Sequence, residues 1–130
     1  MAKIELTGMD ELLKELNAIG ERIATRAENK ALREGAEILR EEMGRRAPRS
    51  KLSKEHLADN IVKSGVRTSK EGVKYVSVGP AKKFFYGLFL ELGTSKMSAK
   101  PFMTPALSEN RKEIFSRMAQ VLREEIEKKR

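Results

Sequence analysis

Between Glu21 and Arg46 the chain runs for 26 residues without a proline, and that run limits the fold more than any other feature. Ile23, Ala27, Ala31, Gly35, Leu39 and Met43 recur every four residues, with Ala24, Leu32 and Ala36 beside them. Spacing of this kind predicts one long amphipathic helix of about 39 Å at 1.5 Å per residue. Its small residues, Ala27, Ala31, Gly35 and Ala36, permit close backbone approach, read first as packing against a sheet or another helix and second as a subunit contact. The helix is the expected spine of the molecule, with Pro48 ending it.

Shorter elements are arranged around this spine. Lys3 to Thr7 alternates polar and apolar residues, as a half-buried strand does. Met9, Leu12, Leu13, Leu16 and Ile19 predict a short amphipathic helix, with Thr7, Gly8 or Asp10 as candidate caps and Gly20 at its end. Arg49 to Lys54 is polar and aperiodic, as a mobile loop is. Asn60 to Thr68 and Val73 to Gly79 are valine-rich and alternate about the turn Ser69-Lys70-Glu71-Gly72. They predict a β-hairpin whose lysines 63, 70 and 74 line its solvent side. Phe84 to Leu92 holds four of the seven aromatic residues and suits a buried strand or a helix; Phe85, Leu88, Phe89 and Leu92 share one helix face and Gly93 suits a C′ position, which favours a short buried helix. After a loop, Thr104 as N-cap and Pro105 at the first helical position open a final helix with Leu107, Ile114, Phe115, Met118, Leu122 and Ile126 on one face. That helix is long enough to project beyond the core. The expected architecture is α+β: a small, mainly antiparallel sheet packed on the long helix, with a C-terminal helix, in one domain spanning residues 1–130.

Composition narrows the function. Lys and Arg number 27 against 19 Asp and Glu, giving +8, and the excess is uneven along the chain. Residues 1–47 sum to −1 (9 basic, 10 acidic), residues 48–104 to +7 (11 and 4) and residues 105–130 to +2 (7 and 5). A basic middle segment creates a field that attracts a negative partner. Arg49, Lys51, Lys54, Lys63, Arg67, Lys70 and Lys74 form the candidate contact surface, with Lys82, Lys83, Lys96 and Lys100 in the same segment. The chain has no cysteine and one histidine, so thiolate metal sites, disulfides and His-rich centres are excluded. No phosphate-binding glycine loop, HExxH or GxSxG string is present. His56 with Glu55 and Asp59, and Glu91 inside the aromatic stretch, are the residual acid/base candidates. For Glu91 a salt bridge to a neighbouring cation or an edge position that reaches water is the simpler reading. No catalytic residue, metal or cofactor is expected, and the chain reads as a non-enzyme made in the cytoplasm, without a membrane segment.

Several strings resemble a known family. They are Ile4-Glu5-Leu6-Thr7-Gly8-Met9-Asp10-Glu11-Leu12, Arg46-Ala47-Pro48, Val78-Gly79-Pro80, Tyr86 through Lys96 with Glu91-Leu92-Gly93-Thr94 at its centre, and Ala99-Lys100-Pro101-Phe102-Met103-Thr104-Pro105-Ala106-Leu107. In this order they resemble the gene-product-ten-like tail-component proteins of lambda-like siphophages, over nearly the whole chain. The Glu-Leu-Gly-Thr string followed by Ala-Lys-Pro-Phe before a C-terminal helix is the most specific part. Pro48, Gly79, Pro80, Glu91, Gly93, Thr94, Pro101, Phe102 and Pro105 are the positions that carry it. One departure stands out: the family's Thr-Gly-x-Leu string after the helix-ending proline is replaced here by the basic stretch Arg49 to Glu55.

The resemblance implies a structural virion protein of a tailed phage or prophage, a neck or tail-completion component assembled in the host cytoplasm. It further implies a cyclic homo-oligomer, a hexamer, that contacts head-connector and tail-tube proteins while DNA passes transiently through its channel. The alternative is a small basic nucleic-acid-binding module whose central hairpin contacts phosphates. The residues add a physical point of their own. Pro101 and Pro105 bracket Phe102 and stiffen it as an anchor, for its own core before a neighbour's.

Overall fold

The computed structural model describes residues 2–6, 8–47, 56–84, 86–96 and 98–129. Pro48, Arg49, Lys51 and Lys54 lie outside the described residues, as does the loop expected there. The elements in order are β1 (Ala2–Glu5), α1 (Asp10–Ile19), α2 (Glu21–Arg46), β2 (Ile61–Lys63), β3 (Arg67–Thr68), β4 (Lys74–Pro80), α3 (Tyr86–Leu92) and α4 (Met103–Lys128). Short 3-10 turns at Leu57–Asp59 and Lys82–Phe84 precede β2 and α3. The class is α+β, as the sequence predicts.

The long helix forms over the predicted run and ends at Arg46, with Ala47 extended. Helix α4 lies antiparallel along it, an arrangement fixed by cross-pairs at both ends. Lys30 meets Glu125 at 3.4 Å and Arg117 pairs with Glu34, while Arg46 pairs with Glu109 and Asn110 donates to Glu42 at 3.2 Å. Gly35 permits this closeness, because a Cβ there would stand 2.9 Å from Met118 Cγ. Ile114, Met118, Ala119, Val121, Leu122 and Ile126 are buried, so α4 is docked along the core and does not project from it. Gly44 serves the other side: a Cβ would meet the Ala58 carbonyl oxygen at 2.9 Å, so the turn Leu57–Asp59 lies directly on the helix backbone.

Every strand pairs with β4, which is central, in an antiparallel sheet ordered β1-β4-β2 with β3 also on β4. Ile4, Ile61, Val76 and Val78 are buried beneath α2. The opposite face carries Lys3, whose Nζ sits 4.7 Å from the Tyr75 ring centre. A single helix-covered face explains the alternation of the strands. The hairpin turn forms at Ser69–Gly72, closed by Ser69 N–H to Val73 O at 2.9 Å.

The hairpin's first strand departs from the expected alternation. Lys63 opposes Val78 but Arg67 opposes Tyr75, so three residues face two and the strand bulges between β2 and β3. Ser64 bridges the bulge, donating its N–H to Ser77 O at 2.8 Å and accepting Ser77 N–H on its hydroxyl at 3.0 Å. Ile61 is therefore the inward residue, and Val62 is exposed.

Helix starts depart as well. Met9 occupies the α1 cap position with no side-chain cap bond, so neither Gly8 nor Asp10 caps it, and Thr7 lies outside the described residues. Gly20 ends α1 as expected, donating its N–H to Leu16 O at 3.1 Å. Helix α4 begins at Met103 with Phe102 at the cap position, two residues before the expected start at Pro105.

Candidate functional site

The Glu91–Gly93 and Lys100–Pro105 strings come together as one clasp. Gly93 leaves α3 with φ +76°, a left-handed conformation that suits glycine, and its N–H bonds Phe89 O at 2.7 Å. Thr94 Oγ1 accepts Lys96 N–H at 3.2 Å, and the chain returns so that Lys100 N–H reaches Leu90 O at 2.7 Å. Pro101 is exposed and Pro105 half-buried, while Phe102 between them is 1% exposed and fills the chain's own core.

Glu91 closes the clasp. Its Oε1 accepts the N–H groups of Phe102 at 2.9 Å and Met103 at 2.6 Å, and its Oε2 accepts Thr104 N–H at 3.2 Å. The first N–H groups of a helix lack intrahelical partners and carry partial positive charge, so a carboxylate there satisfies them and interacts with the helix dipole. Burial pushes the Glu91 carboxyl up. The Met103 N–H, the Thr104 hydroxyl and the remaining backbone donors outweigh it and hold the group below the usual carboxylate range. Among the described residues the carboxylate takes backbone donors in place of the expected salt bridge, and Glu91 itself is only half-buried. A remote carboxylate does the capping expected of Thr104, whose own hydroxyl bonds Glu91 instead.

Helix α3 forms as predicted but is not buried. Gly87 is its buried residue, seated where a Cβ would stand 2.8 Å from Pro80 Cγ and 3.1 Å from Leu57. This contact brings Gly79-Pro80, at the end of β4, into the same assembly as the clasp. On the outer side Leu88 is 36%, Phe89 48% and Leu92 80% exposed. Aromatic content suggested burial of the whole segment, yet among its described residues it is Phe84, before the helix, that turns inward. Leu88 and Leu92 instead edge a cleft of about 310 Å³ against Leu107 and Arg111 of α4.

The basic contact surface also changes. Lys63 and Lys74 do not line the solvent side: both turn to α2, Lys63 Nζ standing 2.9 Å from Glu37 and Lys74 Nζ 2.8 Å from Glu28. Arg40, hydrogen-bonded to Glu37, and Lys63 together hold the Glu37 carboxyl at about 2 against the opposing effect of burial. Arg67 and Lys70 remain exposed. Segment counting missed a second basic row: Arg22, Arg26 and Arg33 are exposed on one face of α2. Four of that helix's acids are engaged elsewhere, Glu28 and Glu37 by the hairpin, Glu34 by Arg117 and Glu42 by Arg45 and Arg46, while Glu21 stands beside the arginines. Helical spacing of 4 and 7 was the available signal.

His56 is half-buried, its carbonyl accepting Asp59 N–H at 3.1 Å and Asn60 Nδ2 at 2.7 Å, while its Nδ1 has no hydrogen-bond partner among the described residues. Glu55 lies outside the described residues. Among the described residues no cluster of three metal-ligating side chains occurs, and no helix is long and apolar enough to cross a membrane.

A family model described as "Bacteriophage HK97-gp10, putative tail-component" matches residues 10–93, more than half of the chain and ending within the clasp at Gly93. No curated protein and no solved structure matches it.

Proposed function

The chain belongs to the bacteriophage HK97-gp10 tail-component family, and from that premise we propose that it is a structural virion protein at the head-to-tail connection. In this reading residues 1–130 act as one joining unit of a neck or tail-completion ring, a hexamer, through which DNA passes. The observation that carries it is the division of labour in α3. The motif acid Glu91 is committed to holding α4, leaving the helix's apolar side turned outward with Leu92 80% exposed. An exposed apolar ridge on a rigid support is suited to contact with another protein.

The charge follows the same logic. Two of the hairpin's cations are neutralised by α2, which weakens the reading as a phosphate-binding hairpin. Arg67, Lys70 and the α2 arginines provide a diffuse positive field. Such a field steers acidic virion surfaces into place and tolerates DNA in transit without clamping it.

Negative-stain imaging of tail tubes lacking the protein, before and after its addition, tests the proposal. Decoration at tube ends and restored head joining are expected; bare, unchanged tubes contradict it. Duplex DNA titrated at low and moderate salt should show little saturable binding, whereas tight, steeply salt-dependent binding would favour the nucleic-acid module.

A further inference from the structure

Strand β1 ends the sheet order β1-β4-β2, so one of its edges is free. The hydrogen bonds of Ser77 fix which groups that edge presents. Ser77 donates its N–H to Ser64 Oγ and accepts Ser64 N–H on its carbonyl, on the side away from β1. Lys3, opposite Ser77, and Glu5, opposite Tyr75, are therefore the non-hydrogen-bonded partners of β4, and their N–H and C=O groups point out along the open edge. Among the described residues no backbone group of another element takes them up. Beside this edge runs one continuous groove. Its first part, about 350 Å³, touches Lys3, Ile4 and Glu5 together. Ile4 points to the core and its two neighbours to the opposite face, so a groove that meets all three lies along the strand's edge. Across from it stand Leu107, Ile114, Phe115 and Met118 of α4. The cleft of about 310 Å³ edged by Leu88 and Leu92 continues it past Ala2, the two parts sharing Leu107 and Arg111.

We infer that an extended, acidic segment of a partner protein adds to this edge as a further strand, bonded to Lys3 and Glu5, with alternate apolar side chains in the two parts of the groove. Strand addition draws affinity from main-chain bonds and specificity from pockets for alternate side chains, and the edge and groove supply both. Residues of the added strand opposite Ala2 and Ile4 face the same way as those two, about 7 Å apart, one at each part of the groove. The occupant is a lone segment and not the β1 of a second copy. Two β1 edges joined in one sheet about a two-fold axis put both helix layers on the same face, and α4 already lines the groove there. Charge gives the segment its sign. Of the charged residues lining the groove, Glu91 is committed to the N–H groups that open α4, which leaves Lys3 and Arg111 against Glu5. Arg111, which forms no ion pair among the described residues, lies where the two parts meet. An acid between two apolar residues fits this arrangement, because it stands opposite Lys3 as an opposite-charge cross-strand pair. The inference goes beyond the ring reading and does not depend on it.

A synthetic peptide, acetyl-Thr-Leu-Glu-Leu-Thr-amide, titrated into the full-length, isotope-labelled protein and followed by NMR tests it. Saturable binding is expected, with the Lys3 and Glu5 amides among those shifted. Peptides methylated on alternate backbone nitrogens keep every side chain. One set, facing β1, should bind roughly 10-fold more weakly, as the loss of a main-chain hydrogen bond requires, and the other set should bind like the parent. Replacing the peptide's Glu by Lys should also weaken binding, and Arg111→Glu, at an exposed position, should reverse that preference. No saturable binding, shifts confined to residues away from β1 and α4, parent-like affinity of both methylated peptides, or equal affinity of the Glu and Lys peptides would overturn the inference. None of these outcomes bears on tube decoration, which tests the ring reading separately.

Discussion

Adjacent residues of α3 behave oppositely, although Leu88, Glu91 and Leu92 all border the cleft against α4. Inward, Gly87 fits against Pro80 and Leu57, and Glu91 holds three backbone N–H groups at the start of α4. Outward, Leu88 and Leu92 face solvent. The difference teaches that the motif's polar residue is the structural one and its apolar residues are available for contact, the reverse of the usual assignment of acid to site and leucine to core.

Substitutions on the inner side should destabilise the protein, and those on the outer side should leave its stability unchanged but prevent assembly. Phe102→Ala deletes the ring anchored behind the clasp and should lower stability by about 3–5 kcal/mol in urea unfolding. Glu91→Ala strands the N–H groups of Phe102, Met103 and Thr104 and should cost about 2–3 kcal/mol, with Glu91→Gln losing less because an acceptor remains. Gly93→Ala forces a side chain into a left-handed conformation and should cost about 1–2 kcal/mol, read as a lower thermal midpoint. Leu92→Asp should change stability by no more than about 0.5 kcal/mol, since the residue is 80% exposed.

Acid sharpens the same contrast. The Glu91 carboxyl is held below its ordinary value of 4.5, so its folded pKa is the lower one. Its stabilisation is fully present above the unfolded pKa and is lost as pH falls through the folded one. Glu37, held at about 2, follows the same sign. Urea unfolding across this acidic window should therefore show the gap between wild type and Glu91→Gln closing as pH falls, while Leu92→Asp keeps a constant offset from wild type.

How much of this was legible in the sequence depended on the range of the interaction. Helix α2 was readable because its period, its small residues and its freedom from proline are local properties, and Gly35 and Gly44 then received α4 and the turn before β2. The turn at Ser69–Gly72 was readable for the same reason. What sequence reading missed came from partners distant along the chain. Lys63 and Lys74 looked solvent-facing because Glu37 and Glu28 stand 26 and 46 residues away, and only the packing of the sheet on α2 brings them together. Segment charge sums consequently could not show that these two lysines are paired, nor that Arg22, Arg26 and Arg33 form an exposed row. Glu91 was recognised as unusual, but its role depends on the chain returning 11 to 13 residues later. The Ser64 bulge, which turns Val62 outward, leaves no trace in a simple alternation of valines.

The most direct test of the central claim, that α3 is structural on one side and assembling on the other, is imaging of protein-deficient tail tubes supplied with Leu92→Asp protein whose thermal midpoint matches wild type. The account predicts bare tube ends with the variant and decorated ends with wild type. Equal decoration by both would contradict it.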